Sequence, residues 1–136
     1  MEFQLLDTGT VIYIHDEILK CEAGLSGIDT SKSLSSILNR VLNHQHYNGV
    51  CNIYEIATLY AFAIAQGHGF NDANKRTAFL SMYVFLYING YYLTASDYTK
   101  EIEDMMVAIA EKTISEVGLQ NWLKQNTTRN ALQLKI

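Results

Sequence analysis

The chain has 136 residues, 49% of them hydrophobic and 18% charged, with a formal net charge of −4. That size and balance suit one globular domain over residues 1–136 with a single core, and the negative charge argues against a general nucleic-acid or membrane-surface role. No apolar run reaches the roughly 18 residues of a membrane span, the N-terminus lacks the basic flank of a secretory signal, and Cys21 and Cys51 stand in no metal or redox spacing; a cytoplasmic protein with reduced thiols is expected.

Proline is absent, and apolar residues recur mostly at three- and four-residue intervals, which predicts an all-α bundle with short connections. Thr10 to about Glu22 reads as a first helix with Val11, Ile14 and Ile18 on one face. The His15-Asp16 pair inside it matches the dipeptide of metal-dependent phosphohydrolases, but the further histidines and aspartate of such a site are missing, so it reads as a surface pair. Gly24 to Gly27 breaks this helix, and Asp29 to Ser31 offers an N-cap for a second one, along which Leu34, Ile37, Leu38, Val41 and Leu42 form an apolar stripe. His44 and His46, two apart on a helix, point in different directions and read as solvated side chains rather than a metal pair. A turn signal at Asn48-Gly49 follows. Ile53 to Gln66 is the third helix, with Ile53, Ile56, Ala57, Tyr60 and Ile64 inward and Gly67 ending it.

The next stretch, His68-Gly69-Phe70-Asn71-Asp72-Ala73-Asn74-Lys75-Arg76, gathers an imidazole, a carboxylate, a carboxamide and two cations. From Thr77 to Ile88 only Thr77 and Ser81 are neither apolar nor aromatic, so a buried helix in the middle of the bundle is expected, with the polar cluster at its N-terminal mouth. Unpaired backbone N–H groups and the positive end of the dipole favour an anion there. Lys75 and Arg76 are unfavourable at that end by the dipole alone, which points to a bound phosphate. Asp72 beside a phosphate suits a bridging Mg²⁺, which takes one or two protein carboxylates plus phosphate oxygens. His68, a residue type with a pKa near ~6.5, suits a general base for an attacking hydroxyl. Singly, each residue has a plain structural use as a cap, a loop histidine or a solvated first turn; at this spacing they point together to a site.

Asn89-Gly90 stops that helix, and Tyr91 to Thr94 suggests a short extended piece. Tyr98, Ile102, Met105, Met106, Ile109 and Thr113 mark a fifth helix, acidic outside. Ser115 to about Gln125 is a sixth, with Val117, Leu119, Trp122 and Leu123 for packing, and residues 127–136 are expected to be a loosely held tail.

The central segment resembles the signature of the Fic/Doc family, His-x-Phe-x-Asp/Glu/Asn-x-Asn-Gly/Lys-Arg, which His68, Phe70, Asp72, Asn74, Lys75 and Arg76 match one for one. AMP-transferring relatives usually have glycine where Lys75 stands and a second arginine where Phe79 stands, so the chain resembles the Doc (death on curing) branch. The resemblance implies a compact all-α bundle of about six helices around a buried central helix. It also implies an ATP-dependent phosphotransferase that modifies a threonine hydroxyl of elongation factor Tu and stops translation. The alternatives are an AMP transferase acting on a protein hydroxyl and a catalytically idle antitoxin-binding module. Carried over by residue, His68 takes the proton of the target hydroxyl, Phe70 pins the loop to the core, Asp72 holds Mg²⁺, and Asn74, Lys75 and Arg76 bind the phosphates of ATP. Tyr47 to Asn52 corresponds to a flap that aligns the target peptide, or is a plain connecting loop. The family's inhibitory Ser/Thr-x-x-x-Glu-Gly/Asn pattern is absent, because none of the eight glutamates is followed by glycine or asparagine. Restraint is therefore expected from a separate Phd-like antitoxin, whose helix or disordered segment would fold onto an exposed groove.

Overall fold

The computed structural model describes residues 3–21, 34–48, 52–67, 69–70, 72–94 and 98–129. Among them the chain is all-α, with helices α1 (Thr8–Cys21), α2 (Leu34–Asn48), α3 (Ile53–Gly67), α4 (Asn74–Ile88), α5 (Lys100–Ala110) and α6 (Glu116–Gln125). Strands β1 (Tyr92–Leu93) and β2 (Thr127–Thr128) pair as one antiparallel ribbon, Tyr92 opposite Thr128 and Leu93 opposite Thr127.

Short polar side chains set where the helices begin. Asp7 Oδ1 accepts from the backbone N–H and the hydroxyl of Thr10, both at 2.8 Å, which starts α1 earlier than its apolar repeat suggests. Those two donors hold the Asp7 carboxyl below the usual carboxylate range. At the start of α3, Asn52 Oδ1 accepts from the Glu55 N–H at 2.9 Å and its Nδ2 donates to Glu55 Oε1 at 3.0 Å. Thr99 caps α5 and Ser115 caps α6 in the same way. The expected cap at Asp29 to Ser31 lies outside the described residues.

The helix at the centre of the bundle is α3. Its whole run from Ile56 to Ala65 is buried, and it packs against α2, α4, α5 and α6. Ala57, Ala61 and Ala65, spaced one turn apart and fully buried, keep its profile narrow enough for neighbours to approach closely. The sequence assigns the central place to the helix after the motif; instead α4 lies against α3 and keeps an outer face, with Tyr87 and Ile88 exposed and Leu80 and Val84 half-buried. On α2, Leu34, Leu38 and Val41 are buried but Leu42 is exposed, because position i+8 falls roughly 80° round the helix from Leu34. Val117 on α6 is likewise exposed, leaving Leu119 and Leu123 as its buried anchors.

Both ends of the described chain are tied to this core. Tyr60 of α3 accepts from the Leu6 N–H at 2.7 Å and donates to its carbonyl at 3.3 Å. Burial pushes the Tyr60 phenol up to about 12. The Asn89 carboxamide brackets Gln4, accepting its N–H at 2.9 Å and donating to its carbonyl at 3.0 Å. Gly90 then takes φ +84°, the left-handed turn its place after Asn89 suggests. At the other end, Thr127 and Thr128 are strand residues rather than the start of a loose tail, Thr94 N–H donates to the Asn126 carbonyl at 2.8 Å, and Arg129 lies 4.5 Å over the Tyr91 ring. Strand β1 lies inside the extended piece expected over Tyr91 to Thr94, whereas the two residues of β2 carry no side-chain repeat that would mark them. The rest of that expected tail, 130–136, lies outside the described residues. Among the described residues no helix is long and apolar enough to cross a membrane.

Candidate active site

The motif loop runs from the end of α3 into the first turn of α4. Gly67 and Gly69 lie where α2 comes closest, since a Cβ on Gly67 would meet Ile37 Cδ1 at 2.7 Å and one on Gly69 would meet it at 3.0 Å. A side chain at Gly67 would therefore force Ile37 to move. His68 and Asn71 lie outside the described residues, as does the heart of the expected flap, residues 49–51, together with the side chains of Tyr47 and Asn48.

Phe70 is buried and Asn74 closes the loop beneath it. The Asn74 carboxamide accepts from the Phe70 N–H at 3.1 Å and donates to the Phe70 carbonyl at 3.0 Å. The sequence assigns Asn74 to phosphate; in the structure its side chain is engaged in holding the loop. Ala73, the N-cap of α4, sits at φ 63°, ψ 25°, a left-handed conformation uncommon for a residue with a Cβ and costing on the order of 1 kcal/mol. It brings no side-chain acceptor to the first turn, so that turn keeps the anion affinity of an uncapped helix start.

Asp72, Lys75 and Arg76 meet at one cavity of about 190 Å³, lined also by Ala73, Tyr98 and Glu103. Asp72 is exposed, and its Oδ1 accepts from the Ala73 N–H at 2.8 Å. Arg76 lies over the Tyr98 ring, its guanidinium carbon 4.1 Å from the centroid, and Tyr98 in turn meets Phe79 in a T-shaped contact at 5.5 Å. Phe79 is buried, so the position where an AMP-transferring relative has a second arginine carries a core side chain under the aromatic platform. Among the described residues no group of three or more His, Cys, Asp or Glu side chains could cage a metal. The donor set at the cavity, carboxylates beside two cations and an open helix start, fits instead a divalent ion that shares its ligands with phosphate oxygens. Glu103 arrives from α5 and is a second carboxylate that the motif does not mark.

The surface reading of His15 is corrected. Its side chain is only 1% exposed, stacked on Phe70 with ring centroids 3.9 Å apart and planes 7° apart. Nδ1 lies 3.0 Å from Asp16 Oδ1 and Nε2 lies 3.1 Å from the Asp72 carbonyl. The signal was available in the periodicity: position 15 is the i+4 member of the Val11, Ile14, Ile18 face. His44 is also less solvated than expected, with Nε2 3.4 Å from Glu55 Oε2 across the α2–α3 contact. His46 lies outside the residues whose side chains are described.

Alongside the loop, α1 and α4 leave a mostly apolar groove of about 320 Å³ between Tyr13, Ile14, Ile18, Leu80 and Val84, with Glu17 and Arg76 also in its lining. Arg76 thus borders both groove and cavity.

Comparison with known proteins decides the family. The model of the Fic/DOC family matches residues 5–86, from the segment before α1 through most of α4. The chain belongs to the Fic/Doc family. This Fic/Doc protein is also similar to the protein kinase Doc of Escherichia phage P1, 33% identical over 115 residues that cover 85% of this chain and 89% of that protein. The region matched by the family model contains every residue that shapes the loop and cavity from α1 and α4; only Tyr98 and Glu103 lie beyond it.

Proposed function

We propose that this Fic/Doc protein is a Doc-type toxin, a phosphotransferase that moves the terminal phosphoryl group of ATP to a hydroxyl of a translation protein. A threonine of elongation factor Tu is the expected target, which would put its site of action in the cytoplasm. The observation that carries this reading is the pair Lys75 and Phe79. A lysine side chain stands at the cavity where AMP transfer needs the space of a glycine, and the second arginine's position is filled by a buried ring. Similarity to a protein kinase supports the same choice.

In this reading His68 accepts the proton of the target hydroxyl as its oxygen bonds to the terminal phosphorus, and the bond from that phosphorus to the departing ADP oxygen breaks. Lys75 as a point charge, Arg76 as a planar fork and the first-turn N–H groups of α4 hold phosphate oxygens. Asp72 would hold Mg²⁺, with Glu103 across the cavity. When bound, that ion neutralises phosphate charge. Asn74 serves by keeping the loop closed, and Tyr98 keeps the Arg76 guanidinium in place.

The groove between α1 and α4 supports the expected antitoxin. Apolar side chains line it, Tyr13 at its rim is 65% exposed, and an amphipathic helix or a segment that folds on binding would cover it. An occupant there would border Arg76, so binding and restraint of activity have one location.

The test is to incubate the purified chain with ATP, magnesium and elongation factor Tu and weigh the products. A phosphoryl adduct supports the proposal, and an adenylyl adduct would replace it with AMP transfer. No adduct, together with growth arrest on expression that His68→Ala does not relieve, would leave an antitoxin-binding module without catalysis.

A further inference from the structure

We infer that His15 is a positioning residue of the active site, acting through the motif loop; this rests on the phosphotransferase reading above. Four observations converge on one ring. It is all but fully buried on the inner face of α1, it stacks flat on Phe70, its Nε2 meets the backbone carbonyl of Asp72, and its Nδ1 meets the Asp16 carboxylate. A histidine is a poor choice for packing alone, because burying an imidazole carries a polar cost that Leu or Phe would avoid. Each nitrogen faces an oxygen acceptor, and with an N–H at Nε2 the ring does what an apolar side chain cannot: it packs on the loop and donates to its backbone.

The grip falls where it matters for the cavity. The Asp72 carbonyl immediately precedes Ala73, whose left-handed backbone turns the chain into α4. Strained conformations of this kind persist only when surrounding contacts over-determine them. Asn74 holds the loop from the α4 side through Phe70, and His15 holds it from the α1 side through Phe70 and Asp72. Between these two clamps the direction of the Asp72 carboxylate is set, and with it the carboxylate side of the cavity. Asp16 is 61% exposed and, among the described residues, meets the His15 ring, so its part is to orient the imidazole.

Three variants of the full chain separate this role from plain packing. His15→Phe keeps a flat ring against Phe70 but removes both polar contacts. His15→Gln keeps an N–H donor for the Asp72 carbonyl and loses most of the stacking. Asp16→Ala changes only a surface carboxylate. Two readouts are needed: amide hydrogen exchange over residues 70–77 without nucleotide, and the rate and magnesium dependence of phosphoryl transfer.

Support would be faster exchange over that segment in His15→Phe, with transfer slowed roughly 10–100-fold and a raised magnesium requirement, as for partners that orient a metal ligand. Asp16→Ala should show the same pattern more weakly at unchanged melting temperature, and His15→Gln should transfer faster than His15→Phe. Wild-type exchange and transfer in a folded His15→Phe chain would overturn the inference. Should His15→Phe fail to fold, a further variant, His15→Ala, takes its place: parental exchange in Asp16→Ala, with no transfer advantage of His15→Gln over His15→Ala, overturns the inference equally. If the parent itself transfers nothing, the phosphotransferase reading fails, and the exchange measurement still judges whether His15 holds the loop.

Discussion

Helices α3 and α4 have the same length, fifteen residues each, and both read as apolar segments, yet eleven residues are buried in α3 and seven in α4. The surplus in α4 is not wasted. Its first turn carries the polar cavity, its inner face packs on α3, and its outer face forms one wall of the groove with α1. Hydrophobicity alone cannot tell a core helix from one that serves both core and interface, because both need apolar side chains on more than one face. Small residues are the distinguishing mark: α3 has four alanines, α4 one. A helix wrapped on all sides needs narrow places for its neighbours, and a helix with an open flank does not.

If the tip of α4 is the chemical end of the molecule, the largest effect should come from the motif and leave the fold alone. His68→Ala should lower phosphoryl transfer by ~10²–10⁴-fold with an unchanged melting temperature, measured by single-turnover transfer beside a thermal scan. Asp72→Ala should abolish the magnesium-dependent reaction at little cost in stability, since its side chain is exposed; normal activity in that variant would remove it as the metal ligand. Phe70→Ala should do both kinds of damage. With the ring 2% exposed, its removal should cost ~3–5 kcal/mol in denaturant unfolding and release one face of His15. An unaltered unfolding midpoint would argue against the ring as the loop's anchor.

The contrast between the helices also explains what could be read before the fold was known. The absence of proline and the three- and four-residue spacing made the all-α class legible, and the motif spacing made Asp72, Lys75 and Arg76 legible as one cluster. His15 was hidden by being tested as half of a metal site, although its phase on α1 set it among Val11, Ile14 and Ile18. The hold of Asn74 on the loop could not be read, because a carboxamide's partners are invisible without the loop that folds back on it. Tyr98 and Glu103 could not be found at all, since only tertiary packing brings them from beyond the motif. Strand β2 was missed for the same reason, whereas β1 falls inside the extended piece expected over Tyr91 to Thr94.

The buried helix should respond to alkali. Tyr60 of α3 has its phenol raised from 10.0 to about 12, chiefly by burial. The folded chain therefore holds that proton more tightly than the unfolded chain. Its contribution is complete below about pH 10 and is lost as pH rises through about 12, a shift corresponding to about 2–3 kcal/mol. Unfolding free energies measured across that window should fall more steeply for the parent than for Tyr60→Phe. Parallel curves would mean that burial of Tyr60 does not govern its ionisation.

The smallest expected effect bears most directly on why α4 has apolar side chains to spare. Tyr13 lies at the rim of the groove, and no core contact depends on it. Tyr13→Glu loses a hydrogen bond to Glu17 and sets two carboxylates one turn apart, so it should cost stability only about 0.2–0.5 kcal/mol and leave phosphoryl transfer unchanged, while weakening antitoxin binding about tenfold, or ~1.4 kcal/mol, as read by calorimetric titration. The sign of this difference separates two explanations of the open flank. A docking face tolerates a charge while empty and rejects it when covered by an apolar helix, because the carboxylate must then be desolvated without a partner. An exposed face with no occupant tolerates the charge in both states, and equal antitoxin affinity would show that the partner seats elsewhere.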